Sequence, residues 1–490
     1  MLKATAKAPH ESISAKEENM FSRYEIKQLT IGSISRRVWI PCPLSRAFAI
    51  SVIMLLVLVG AKQIARGAAG DPDQTFGTGG HVFTDFSGNS DYGLAIAVQP
   101  DGRLIVAGQS GVYPVFHAAL ARYNTNGQLD PTFGSGGKVI AALDAGGDGL
   151  SAIALQPDGK IVAAGSVIHD NWQLSFLLAR FNADGTLDTT FANQGVVATN
   201  FGDSTAAANA LVLQPDGKIV IAGVSGAGPY SELNDFAIAR YNSNGSLDQS
   251  FGNGGKVKTH FPGVYNTGSR ATAVALQADG KLVVSGMYKN EATARAFALA
   301  RYNANGSLDT TFGSGGMVTT SMGAGDAIAF SVALLSGGRI VATGYLEAGH
   351  RNHDFALACY NPSGTLDQSF GNGGRVTTDF FGATDDIAYG LSVQSDGKLV
   401  LAGRTGTYPS FHFALARYNN NGQLDQAFGT GGKVSSMFDN SGQGYGVTVQ
   451  RDGKIVLAGI SAPAGGNFDF TVARYLGNIW SSHSPGAQGH

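Results

Sequence analysis

Three stretches of the 490-residue chain hold residue types that could do chemistry. The "GSGGK" at 134–138 has the make-up of a phosphate cradle, which needs a strand before it and a helix after it. "HRNHD" (350–354) offers two imidazoles and a carboxylate, a set that zinc can use. "NTNGQLD" (124–130) places side-chain oxygens at alternate positions around a glycine, as calcium loops do.

Recurrence weakens all three. The phenylalanine before the glycine-rich core returns at Phe76, Phe133, Phe191, Phe251, Phe312, Phe370 and Phe428. No phosphate loop is needed seven times, and "GGKVIAAL" runs on into β-branched residues rather than a helix. Those glycines lead into a strand. The calcium-like loop has Arg122 where the first carboxylate ligand belongs, and this arginine recurs at Arg180, Arg240, Arg301, Arg417 and Arg474. Asn-Gly then makes a turn, and the arginine is expected to pair with the aspartate of the next turn. In "HRNHD", Asp354 aligns with Asp235 and Asp469, and with His117 and His412, so the position is simply polar in most copies.

Each copy reads as four short strands. "SAIALQ" (151–156) turns through "PDGK" into "KIVAAG"; a variable stretch leads to "FLLARFN", and "NADGTLD" turns toward a fourth strand after "FGSGGKV". Pro157-Asp158 suit a type I turn, with Gly159 at positive φ in a bulge. Seven copies predict an all-β, seven-bladed β-propeller of antiparallel blades, the strand rich in small residues (Ala95, Ala97, Ala152, Ala154, Ala273, Ala275) lying innermost. A solenoid would need capping repeats at its ends, and neither end shows one. The chain starts the repeats with a lone fourth strand (75–86) and ends them with three (about 445–475), so pairing the two would close the ring. The segments "LDPTFGSGGKV", "ALQPDGKIVAAG" and "LLARFNADGTLD" resemble the delta-60 repeat family of bacterial β-propellers, over residues 71–476. That resemblance implies a frequently secreted propeller with no shared catalytic set. The chain departs from the pattern at Ala192-Asn193-Gln194, in place of Gly-x-Gly, and at Cys359, in place of the arginine.

The first 70 residues carry 10 Lys or Arg, 4 Glu and no Asp, which leaves the body net acidic by about 8 charges and argues against nucleic acid. Residues 47–61, "AFAISVIMLLVLVGA", follow Arg36, Arg37 and Arg46 and precede Gly67-Ala68-Ala69, the layout of a signal peptide cut near Ala69. The long leader allows a start at Met20 or later, and the other reading is an uncleaved anchor, for which 15 residues are short. Export would remove Cys42 and leave Cys359 without a partner. The expected organisation is an export segment (1–69), the propeller (70–480) and a flexible tail (481–490). The expected product is secreted or displayed at the cell surface, monomeric, with no membrane insertion of the propeller.

No catalytic set stands out. Only Glu232, Glu291 and Glu347 follow Ala69, and neither a Gly-x-Ser-x-Gly elbow nor a paired cysteine motif occurs. Two turns per blade are nearly uniform, whereas the second-to-third connections and the blade-to-blade connections diverge; in a propeller both divergent classes lie on one face. That is the pattern of a scaffold with a binding face. The function expected is non-enzymatic binding of a protein or glycan there, with Tyr113, Trp172 and Tyr408 as aromatic contacts. The rivals are a hydrolase or lyase over the central channel, and a structural surface or matrix protein. Eight residues before the glutamine that ends the innermost strand stand Asp91, Asp148 and Asp386, with Asp326 one residue earlier in its copy. Either these carboxylates converge at the channel mouth and attract calcium or a cationic partner group, or each caps its own loop through a backbone N–H.

Overall fold

The computed structural model describes residues 67–477, apart from 114, 145, 170–172, 229–233, 264–266, 290–293, 350–351 and 464–465. The apolar run 47–61 and the tail 481–490 lie outside the described residues, among which no helix is long and apolar enough to cross a membrane. Twenty-eight strands, β1 to β28 in chain order, form seven four-stranded antiparallel blades among the described residues. Blade 1 is β2 (Ser90–Val98), β3 (Leu104–Val112), β4 (Val115–Tyr123) and β5 (Lys138–Ala141), paired in that order. The aspartate turns behave as their sequence predicts: Gly159 has φ of +86°, and Asp158 accepts the Lys160 amide at 3.1 Å.

The first strands surround the axis. They are β2, β6 (Asp148–Leu155), β10 (Thr205–Leu213), β14 (Gly268–Leu276), β18 (Ala327–Leu334), β22 (Ile387–Val393) and β26 (Ser441–Val449). Each touches the next, and β26 meets β2, so the circuit closes. Small residues fit where seven strands crowd together. Second and third strands are sandwiched between neighbouring blades and read as unbroken apolar runs, because both of their faces are buried. In blade 1, Ile105 and Leu120 face Leu150, Ile161 and Leu177 of blade 2, whereas Leu104 and Val106 face Val456 and Val472 of blade 7.

Each first strand carries a β-bulge at the same place, between Gly93 and Ala95 in blade 1 and at its equivalents in the other six. Two residues before the extra one, a carbonyl lies against the second strand. A Cβ at Gly108 would collide with the Tyr92 oxygen, and the same holds at Gly165, Gly223, Gly286, Gly344, Gly403 and Gly459. This is why each apolar run ends in a glycine.

Blade 7 is completed from both ends of the chain. β1 (His81–Thr84) pairs antiparallel with β28 (Asp469–Tyr475), which pairs with β27 (Ile455–Ala462). The closing strand is four residues long, shorter than the expected 75–86, because residues 73–80 form the turn that precedes it. Ala69 is buried, and its carbonyl accepts the Gly429 amide at 2.8 Å, as Asn421 accepts the Gly371 amide in the preceding blade. The boundary drawn at 69/70 therefore falls inside the packed fold.

Candidate binding face

The two faces of the ring are built differently. On the uniform face one unit is repeated. Arg122 donates to Asp130 at 2.9 Å, reaches the Ala183 carbonyl of the next blade at 2.5 Å, and lies 4.7 Å over the Phe133 ring. Arg180, Arg240, Arg301, Arg417 and Arg474 repeat this with Asp188, Asp248, Asp309, Asp425 and Asp73. The expected arginine–aspartate pairing is thus present. At Cys359 the arginine is missing, and Arg339 from the neighbouring turn supplies the guanidinium instead, 3.2 Å from Asp367 and 3.3 Å from the Asn420 carbonyl. Burial raises the pKa of Asp73, but hydrogen bonds from Thr75 and Lys454 and the Arg474 charge outweigh it and hold the carboxyl at about 2. A cleft of about 810 Å³ opens on this face between blades 7 and 1. Two of its cations are already engaged, Lys454 at 3.1 Å and Arg474 at 2.7 Å from Asp73.

The opposite face carries the divergent loops. Tyr113 at the β3–β4 tip is 85% exposed, and Tyr408, between β23 (Leu399–Thr407) and β24 (Ser410–Tyr418), is 80% exposed. Trp172 lies outside the described residues. Phe381, after β21 (Arg375–Thr378), and Val112 also stand clear of the protein.

The four aspartates do not converge on one opening. Asp91 and Asp386 are fully buried and Asp148 nearly so, each at a different blade junction. Asp91 accepts the Phe86 amide at 2.7 Å, and Asp386 the Phe380 amide at 2.7 Å. Asp148 accepts those of Ala118 and Leu143 at 2.6 and 2.9 Å. Asp326 accepts the Arg295 amide at 2.7 Å and pairs with its guanidinium at 2.5 Å. Asp91 and Asp386 cap their own loops, Asp148 caps both its own loop and a strand of the preceding blade, and Asp326 caps the preceding blade. The cause is the two-residue period of a strand: at Asp91 the side chain faces the junction, and its neighbour Tyr92 takes the phase of the channel. Burial raises the pKa of Asp91, Asp148 and Asp386.

An aromatic cluster on neighbouring first strands was not read from the sequence. Five residues before the terminal glutamine position stand Phe330, Tyr389 and Tyr445, with ring centroids 5.1 Å (Phe330–Tyr389) and 4.9 Å (Tyr389–Tyr445) apart. Beside them Arg404 donates to Asp385 at 2.6 Å and Gln443 at 3.1 Å, and His353 hydrogen-bonds the other Asp385 oxygen. His353 is thus engaged by Asp385, and His350 of the HRNHD stretch lies outside the described residues. Burial raises the Asp385 pKa, but His353 and Arg404 outweigh it and hold the carboxyl low. Burial pushes the Tyr345 phenol, packed on His353, up to about 12. An alignment of the copies on the glutamine would have exposed the aromatic position.

The family model described as "Domain of unknown function (DUF5122) beta-propeller" matches at residues 99–133, 156–191, 214–251, 277–312, 336–370, 394–428 and 450–478. The chain carries seven DUF5122 β-propeller repeats. These repeats overlap the segments quoted for the delta-60 resemblance, a name that stays a resemblance. No curated protein matches the chain. Solved structures of similar fold include Sqt1 from Chaetomium thermophilum, 14% identical, covering 81% of this chain and 98% of that one with a TM-score of 0.43. The polysaccharide lyase Uly1 is 12% identical over 81% and 92%, TM-score 0.46, and Drosophila Semaphorin 1b extracellular domains 1–2 are 9% identical over 83% and 88%, TM-score 0.44. At this distance the likeness concerns the fold alone.

Proposed function

We propose that the DUF5122 propeller is an exported, non-enzymatic scaffold that binds a protein or glycan at the cell surface through its divergent-loop face. The observation that carries this reading is the asymmetry of the faces. One face ties its turns to neighbouring blades through buried arginines that pair with aspartate and reach a carbonyl of the next blade, and the other leaves Tyr113 and Tyr408 exposed. Exposed tyrosines give large, rigid, amphipathic contact area, which suits both protein and sugar partners. The charge and apolar layout of residues 1–69 supports export. Against a hydrolase or lyase stands the engagement of Asp385, whose two carboxylate oxygens are already taken by His353 and Arg404.

The test is capture of cell-surface protein and arrayed glycans by the purified propeller. Tyr113→Ala with Tyr408→Ala should weaken capture at least tenfold, as loss of aromatic anchors does, without moving the melting temperature. A fall in melting temperature with capture intact would show that the tyrosines only pack their own loops. Turnover of a polysaccharide that is lost in Arg404→Ala would favour the lyase or hydrolase.

A further inference from the structure

Three positions meet at each blade junction: one at the start of the third strand, one after the fourth, and one at the start of the next blade's first strand. All three are aspartate at two junctions, Asp469, Asp85 and Asp91 between blades 7 and 1, and Asp354, Asp379 and Asp386 between blades 5 and 6. In each trio one carboxylate oxygen of every residue lies within 4.8 Å of the others. Elsewhere the positions differ or are compensated. His117 stands 3.5 Å from Asp148, and His260 pairs with Asp235 at 2.9 Å.

The buried member of each trio supplies a second observation. Asp91 and Asp386 each use Oδ2 on a backbone amide, and in both the buried Oδ1 forms no aligned hydrogen bond. The hydroxyls beside them, Ser110 and Thr405, occupy equivalent places on the second strands and touch these carboxylates, lowering their pKa, but not in aligned hydrogen-bond geometry. The nearest lysines are turned to carbonyls: Lys138 Nζ to that of Asp85 at 2.9 Å, Lys433 Nζ to those of Asp379 and Phe380 at 2.9 and 3.1 Å. Three carboxylates are thus crowded together, twice and by the same geometry, and the buried member of each has an oxygen without an aligned hydrogen bond.

We propose that these junctions are two Ca²⁺ sites, each held by three carboxylates and a serine or threonine hydroxyl. An oxygen-only, carboxylate-rich set suits a hard cation that takes six to eight oxygens in flexible geometry. The electrostatics agree. Burial, reinforced by Asp85, Asp91 and Asp439, pushes Asp469 up to about 6, and burial with neighbouring carboxylates raises Asp354. A divalent cation reverses that penalty. The first site has a structural consequence: Asp469 comes from the last strand and Asp85 from the segment after the first, so the ion ties the two ends of the ring together.

The test is Ca²⁺ titration of the EDTA-dialysed protein by native mass spectrometry, calorimetry and thermal melting. The parent should bind two Ca²⁺ per chain and melt several degrees higher. Asp91→Asn with Asp469→Asn should lose one ion, Asp354→Asn with Asp386→Asn the other, and the fourfold variant both. In EDTA these variants should melt at or above the parent, because repulsion is relieved, which separates lost binding from lost folding. The milder Asp85→Asn and Asp379→Asn should each weaken one site at least tenfold. No binding at millimolar Ca²⁺, or undiminished binding in the fourfold variant, overturns the proposal.

Discussion

Ala192 and Gln194 occupy places where the other copies have glycine, and they adopt the same left-handed backbone, with φ of +45° and +51°. Gly252, the equivalent of Ala192 one blade on, has φ of +55°. An L-residue with a Cβ pays roughly 1–2 kcal/mol for this conformation. Ala192→Gly should therefore stabilise the protein by about 0.5–1 kcal/mol, after the extra chain entropy of glycine is subtracted. Chemical denaturation should show a higher midpoint at unchanged slope; a lower midpoint would mean that the Ala192 methyl is a needed packing contact. This departure was legible in the sequence because turn glycines answer to local backbone geometry. The second-strand glycines were not, because what excludes a side chain at Gly165 is a bulge carbonyl on another strand. The aspartates at the first-strand starts were found by counting, yet counting gives no phase. Only the pairing register shows that Asp91 faces the junction.

Between neighbouring blades a tyrosine that ends a third strand donates to a threonine that ends a fourth. Tyr123 reaches Thr84 at 2.8 Å, and Tyr241, Tyr302, Tyr360 and Tyr418 reach Thr199, Thr259, Thr320 and Thr378. Blade 2 has Phe181 in the tyrosine position, packed against Ala141 where the threonine would be, so both polar groups are absent together. Phe181→Tyr alone should cost about 1–3 kcal/mol, because a hydroxyl is buried without an acceptor. Adding Ala141→Thr should recover most of that loss, giving a coupling of about 1 kcal/mol or more in a double-mutant cycle. Independent effects would show that the contact is not a unit. The strand order was legible from repeated turns, but this contact joins residues some 40 positions apart, and a single copy does not reveal it. The exchange of Arg339 for the arginine missing at Cys359 was hidden for the same reason.

For the whole molecule, the phase of the repeats announced closure: a lone fourth strand at one end and three strands at the other have one economical use. Loop structure on the divergent-loop face was less legible, because divergent loops follow no repeat and their side chains answer to local contacts. Closure itself rests on few residues. β1 supplies one ladder to β28, Phe76 packs beneath Arg474, Phe86 meets Phe470 at 4.8 Å, and Asp73 accepts from Arg474 at 2.7 Å across 401 positions of sequence. Deleting residues 71–86 strips the cover from those apolar groups and leaves the buried Arg474 unpaired, a loss of at least about 3–5 kcal/mol. The exposed edge of β28 should then promote association between chains. A truncated protein that melts with the parent and stays monomeric would contradict the latch. Asp73→Asn isolates the ion pair within it. With its folded pKa at about 2 against an ordinary 3.8, Asp73 contributes stability that is complete above about pH 4 and disappears as the pH falls toward 2. A shift of that size corresponds to about 2–3 kcal/mol. The variant should therefore be less stable than the parent at pH 7 by about that amount and should converge on it near pH 2. A constant gap from pH 7 to pH 2 would assign the loss to packing at residue 73 rather than to its charge.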